Sequence, residues 1–99
     1  MEIEFRDGNL DRLETDAEYS AGYAQNAVVK AYRKRMQAIR AADDERDLYA
    51  VKGNRFEKLK GARSHQYSLR LNDQWRLIVE IKSGSPKNTI VVVGIEDYH

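Results

Sequence analysis

No cysteine occurs in the 99 residues. That absence excludes disulfides, thiolate metal sites and cysteine nucleophiles together, and it suits a reducing compartment. No run is long or apolar enough to span a membrane, and the opening MEIEFRDG lacks a signal-peptide core, so a cytoplasmic location is expected. Repeats, low-complexity stretches and linkers are also missing, so residues 1–99 form one expected domain. There is no glycine-rich phosphate loop, since Gly53 and Gly61 stand alone, and no serine sits in a nucleophile-elbow context. A chain this short buries a modest core, which favours a shallow active surface over a deep pocket.

Net charge is only +1, but charge is sorted along the chain. Residues 1–18 hold seven acids against two bases, and residues 43–47 hold four acids against one base. Residues 30–40 hold Lys30, Arg33, Lys34, Arg35 and Arg40 with no acid, and residues 52–70 hold six bases against Glu57. Such basic blocks mark either a polyanion partner or a well-solvated charged surface.

Hydrophobic spacing gives the architecture. Ile3 and Phe5 alternate with Glu2, Glu4 and Arg6, which predicts a short first strand. Asp7-Gly8 signals a turn, and Asn9 or Asp11 is an expected cap for a helix over roughly 10–18. Ala24, Ala27, Val28, Ala31, Tyr32, Met36 and Ile39 form one stripe of a helix over 23–41, with a basic back facing water. A short helix is expected near 44–49, and the segment 55–61 is polar with two apolar anchors, Phe56 and Leu59. The period then changes to two over 65–71 and 75–81, with a hairpin turn at 72–74, and a last valine-rich strand spans 89–95. The fold class is α+β: an N-terminal strand and two to three helices packed on one face of a mostly antiparallel sheet.

The hairpin register sets Arg70 opposite Arg76 on the face away from the helices, with Ile78 and Glu80, while Tyr67, Leu69, Leu71, Trp75, Leu77, Val79 and Ile81 face the core. Folding the last strand back places Gly94 near Arg76 and Glu96 near Gln74, and brings the C-terminal tail to the same edge. Adjacent arginines repel unless an anion lies between them, and phosphate fits their paired donors; the plainer alternative pairs each with Glu96 or Asp97. At the tail, His99 is a general acid or base with an ordinary pKa of ~6.5, Tyr98 donates a hydrogen bond or stacks on a base, and Asp97 orients the histidine or accepts a proton. RNA is cut without metal when its own 2′-hydroxyl attacks the adjacent phosphorus, given a base, cations around the transition state and an acid for the leaving oxygen. Lys60, Arg63, Arg70 and Arg76 are candidate cations; Glu57, Asp97, Tyr98 and His99 are candidate proton carriers. No metal site or cofactor is expected. His65 and His99 are far apart, His65 has core-side parity, and the acids at 43–47 suit a helix N-terminus.

Three segments together, GNRFEKLKG at 53–61, QYSLRLNDQWRL at 66–77 and the ending EDYH, resemble HigB-type toxins of the RelE/ParE superfamily. The resemblance implies a RelE-like, microbial-ribonuclease-like fold and metal-independent cleavage of mRNA on the ribosome. It implies restraint by a HigA-type helix-turn-helix antitoxin, through which alone the toxin meets operator DNA. It assigns Arg76 to the transition-state phosphate, Lys60 to a cationic role, and Asp97, Tyr98 and His99 to acid–base chemistry and orientation. Some relatives have a histidine where Glu57 falls, so Glu57 either handles protons or bridges to Arg55, Arg63 or Arg76. Under this resemblance Lys30, Arg33, Lys34 and Arg40 grip ribosomal RNA, and Arg63 and Arg70 face the substrate. The alternative is a toxin of the same fold that does not cut RNA, as a gyrase inhibitor or a ribosome-binding module.

Overall fold

The computed structural model describes residues 1–19 and 26–97. Strand β1 (Glu2–Phe5) leads into helix α1 (Gly8–Thr15), then α2 (Asn26–Ala41) and α3 (Glu45–Ala50). The sheet continues with β2 (Glu57–Lys58), β3 (Gln66–Arg70), β4 (Trp75–Lys82) and β5 (Thr89–Asp97), in the spatial order β1-β5-β4-β3-β2. Among the described strands only the β1–β5 pairing is parallel. None of the described helices is long and apolar enough to cross a membrane.

Local chemistry fixes the helix ends. Asp7, not Asn9 or Asp11, caps α1: its carboxylate accepts from the Asn9 backbone N–H at 2.9 Å. It can do so because Asp7 is the last residue with extended backbone before the helix, so its side chain reaches the orphan amides. Asp44 caps α3 in the same way through the Arg46 N–H, which accounts for part of the acid cluster at 43–47. The α2 stripe buries Val28, Val29, Tyr32, Met36 and Ile39. Ala27 is exposed, Val29 taking its place inside, and Ala24 lies outside the described residues.

These helices share one core with Leu10 and Leu13 of α1 and with Leu69, Leu71, Leu77, Val79, Ile90 and Val92 of the sheet. The Tyr32 hydroxyl donates to the Leu10 carbonyl at 2.8 Å, fixing α2 on α1. The expected inward face of the hairpin holds, with Tyr67, Trp75 and Ile81 partly buried against that core.

Two further expectations need correction. The segment 55–61 contributes a short edge strand, because Phe56 stacks on Tyr67 (centroids 5.1 Å apart, planes 7° apart) and meets Tyr49 edge-on, laying Glu57 and Lys58 beside Ser68 and Tyr67. The register of β5 is also different. Arg76 faces Glu96 and Trp75 faces Asp97, two positions from the expected pairing. A bulge accounts for half of this shift: Ile78 pairs with Gly94 but Val79 with Val92, so Val93 is an extra residue on β5. The rest comes from the turn, which closes Lys82 on Thr89. The bulge also changes the strand's parity. Ile90 and Val92 point to the core before it, Ile95 packs on the core after it, and Glu96 turns to the open face beside Arg76.

Candidate functional site

The open face of the sheet, at the end where β3 turns into β4, collects most of the candidate residues. Arg70, Arg76 and Glu96 form one row across three strands. The expected Arg70–Arg76 pairing is present, and the turn that creates it is built by its own side chains. The Asn72 side-chain oxygen accepts from the Gln74 and Trp75 N–H groups at 2.9 and 2.8 Å, an Asx-type turn. Asp73 pairs with Arg70. Gln74 donates to the Asp97 carboxylate at 3.1 Å, holding the end of β5 to the turn. Arg76 is half-buried and donates Nη1 to the Asn72 carbonyl at 2.8 Å, so its guanidinium is braced against the turn. Every residue from Asn72 to Arg76 except Trp75, whose ring packs on the core side, thus has a side chain engaged in shaping or closing this corner.

The GNR segment at 53–55 supports the corner from below. Arg35 of α2 donates Nε to the Arg70 carbonyl at 2.8 Å and Nη2 to the Gly53 carbonyl at 2.9 Å. Partial burial, then the nearby Arg70 charge, lower the pKa of Arg35. Asn54 is fully buried and donates to the Leu48 carbonyl at 3.2 Å. Arg55 takes a left-handed backbone conformation (φ 43°), a cost that a non-glycine residue meets only where its surroundings hold it there. Arg35 stands in the basic block of α2 yet carries no site role in the sequence reading. Its signal was position: a basic residue at the edge of an apolar stripe, three residues after Tyr32 and four before Ile39.

The other candidates divide. Arg63 reaches across the open face to Glu96, donating to both carboxylate oxygens at 2.9 and 2.8 Å. Glu57 is exposed on the edge strand opposite Ser68, and among the described residues it makes none of the bridges to Arg55, Arg63 or Arg76. Lys60 is exposed where the chain leaves β2, level with the start of β3 rather than with the Arg70–Arg76 row. His65, expected on the core side, is exposed instead, 3.8 Å from the Glu80 carboxylate; it lies just before β3 begins, where the alternation no longer binds its direction. Tyr98 and His99 lie outside the described residues.

On α2, Lys30 and Lys34 are exposed, but Arg33 donates to the Leu13, Asp16 and Tyr19 carbonyls at 2.9–3.1 Å and ties down the end of α1. Arg40 makes a two-pronged pair with Glu14, 2.6 Å on each side. No three His, Cys, Asp or Glu side chains among the described residues gather in a way that could hold a metal ion. The corner presents the guanidinium groups of Arg70 and Arg76 in one row with the Glu96 carboxylate, with Glu57 one row away on the edge strand.

Comparison with known proteins places this arrangement. A sequence family described as HigB-like toxin, the RelE-like toxin of the type II toxin–antitoxin system HigB, matches residues 3–99. The chain belongs to this HigB-like toxin family. Toxin HigB-1 of Vibrio cholerae serotype O1 is 33% identical over 89 residues, covering 90% of this chain and 93% of that one. In three dimensions the fold matches a YoeB/ParE toxin from Agrobacterium tumefaciens over the full length of both chains, with a TM-score of 0.58 at 15% identity. The α+β class with helices on one side of a mostly antiparallel sheet is therefore the RelE-like fold, and the protein is the toxin of a type II toxin–antitoxin pair.

Proposed function

We propose that this HigB-like toxin is a ribosome-dependent, metal-independent mRNA endoribonuclease of the cytoplasm. The observation that carries the reading is the Arg70–Arg76–Glu96 row on the open face, with Asp97, the next residue of β5, held to the same turn by Gln74; from there the sequence continues directly into Tyr98 and His99. In this reading the scissile phosphate lies against Arg76. A base draws the proton from the substrate's 2′-hydroxyl, and the 2′-oxygen attacks the adjacent phosphorus. Guanidinium donors stabilise the added negative charge, and an acid protonates the departing 5′-oxygen, leaving a 2′,3′-cyclic phosphate. Asp97, Tyr98, His99 and Glu57 are the groups for proton transfer and orientation, and Lys60 adds positive charge from the segment that follows the edge strand. Bracing by the Asn72 carbonyl supports Arg76 in this role, because a guanidinium fixed before substrate arrives loses little freedom on binding.

A set this small needs the ribosome to align the 2′-oxygen with the phosphorus, so cutting of naked RNA is expected to be slow or absent. The partner that restrains the toxin is a HigA-type helix-turn-helix antitoxin, and contact with operator DNA runs through that partner. Induction of the protein followed by mapping of new mRNA 5′ ends tests the reading. Codon-phased cuts are expected with the natural sequence and are expected to vanish in Arg76→Ala and on deletion of His99. Growth arrest with intact mRNA would overturn it in favour of a toxin of this fold that acts without cutting RNA, at gyrase or as a ribosome-bound module.

A further inference from the structure

Ser68 and Ile78 face each other on the side of the sheet away from the helices, yet they are only 3% and 2% exposed. The row on one side of them is Gln66 and Glu80, and the row on the other is Arg70, Arg76 and Glu96. Arg63 touches both: its Nε donates to Gln66 at 2.9 Å, and its two terminal nitrogens grip Glu96. The guanidinium thus crosses the Ser68–Ile78 row. Gln66 is itself held, because its amide nitrogen donates to Glu80 at 2.9 Å, and Glu80 is bound two-pronged by Arg6 at 3.1 and 2.8 Å. An unbroken side-chain chain runs from the residue after β1 to the end of β5.

We infer that Arg63 and Glu96 are positioning residues, a clasp that fixes the end of β5 beside Arg76, rather than contacts to substrate. Arg63 and Glu96 are 47% and 44% exposed, and ion pairs so exposed add little to stability. Three hydrogen bonds from one planar group nevertheless set direction tightly. The clasp is therefore built for geometry. It joins the loop that follows Lys60 to the strand that carries Asp97, the two arms of the proposed nuclease centre, and it rests on that reading for its catalytic consequence.

Charge exchange tests it. Arg63→Glu and Glu96→Arg, made singly, are expected to slow ribosome-dependent cleavage roughly tenfold to a hundredfold, mainly in kcat. The double variant, which restores an opposite-charge pair across the same gap, is expected to recover most of the loss. Hydrogen exchange at the backbone amides of 95–97 gives a readout independent of catalysis: faster in each single variant, slowed again in the exchange. If the double variant is folded but cuts no better than Arg63→Glu, and its β5 amides stay fast, the clasp is wrong and Arg63 acts on RNA. If the natural protein shows no Arg76-dependent cleavage, the nuclease reading falls, while the amide pattern still decides the clasp.

Discussion

Glu80 shows what a single side chain contributes here. It accepts from both terminal nitrogens of Arg6 and from Gln66, and these bonds, Arg6 first, hold its pKa down to about 2. A carboxylate with a depressed folded-state pKa stabilises the protein above its unfolded value of ~4.3 and loses that contribution as pH falls toward 2. The denaturation midpoint should therefore drop between about pH 4.5 and pH 2, and Glu80→Gln should flatten that drop while lowering stability at pH 7. A urea series across this range measures both. At this scale the sequence was readable where a turn fixed the neighbours, as for Arg70 and Arg76. It was silent where an arginine spends its donors on backbone carbonyls. Arg35 and Arg33 do so, and carbonyls carry no side-chain signature to read.

Among the elements, α2 separates its basic residues into two uses. Arg33 makes three bonds to carbonyls at the end of α1 and just beyond it. Arg33→Met should cost about 2 kcal/mol, given what charged hydrogen bonds contribute, and lower Tm by roughly 8–16 °C for a domain of this size. Lys30→Ala and Lys34→Ala should leave Tm nearly unchanged, since both side chains are exposed. The proposed grip on ribosomal RNA therefore falls to Lys30 and Lys34. Reversing both to glutamate should weaken co-sedimentation with ribosomes, and the natural protein's binding should fall steeply with salt. Unchanged co-sedimentation of a folded double variant would remove that role. Strands β1, β3, β4 and β5 were legible from their composition and alternation, including the inward face of the hairpin, whereas the two-residue edge strand β2 was too short to show a period. The bulge was not legible: Val91, Val93 and Ile95 keep an unbroken step of two, so nothing in the apolar run marks Val93 as the extra residue.

For the whole molecule, the charge blocks have a double meaning. Several basic residues meet acids from distant segments of the same chain: Arg40 with Glu14, Arg6 with Glu80, Lys82 with Glu4, Arg63 with Glu96. Part of what looked like a footprint for a polyanion is thus answered internally, and a linear count of charge overstates what remains for a partner. Which bases meet which acids depends on strand order, and the parallel placement of β1 beside β5 brings Arg6 level with Val92, whose carbonyl its N–H binds at 3.0 Å. The same strand order bears on how the chain tolerates changes in length. Insertions between Lys82 and Thr89 lengthen a surface connection and leave everything after it in phase. Deleting Val93 would leave a regular strand with Ile95 still opposite Leu77 and Glu96 opposite Arg76, whereas drawing Val93 into the ladder acts like a frameshift: Ile95 would swing toward water, Glu96 toward the apolar interior, and the last residues would leave the arginines they are proposed to serve.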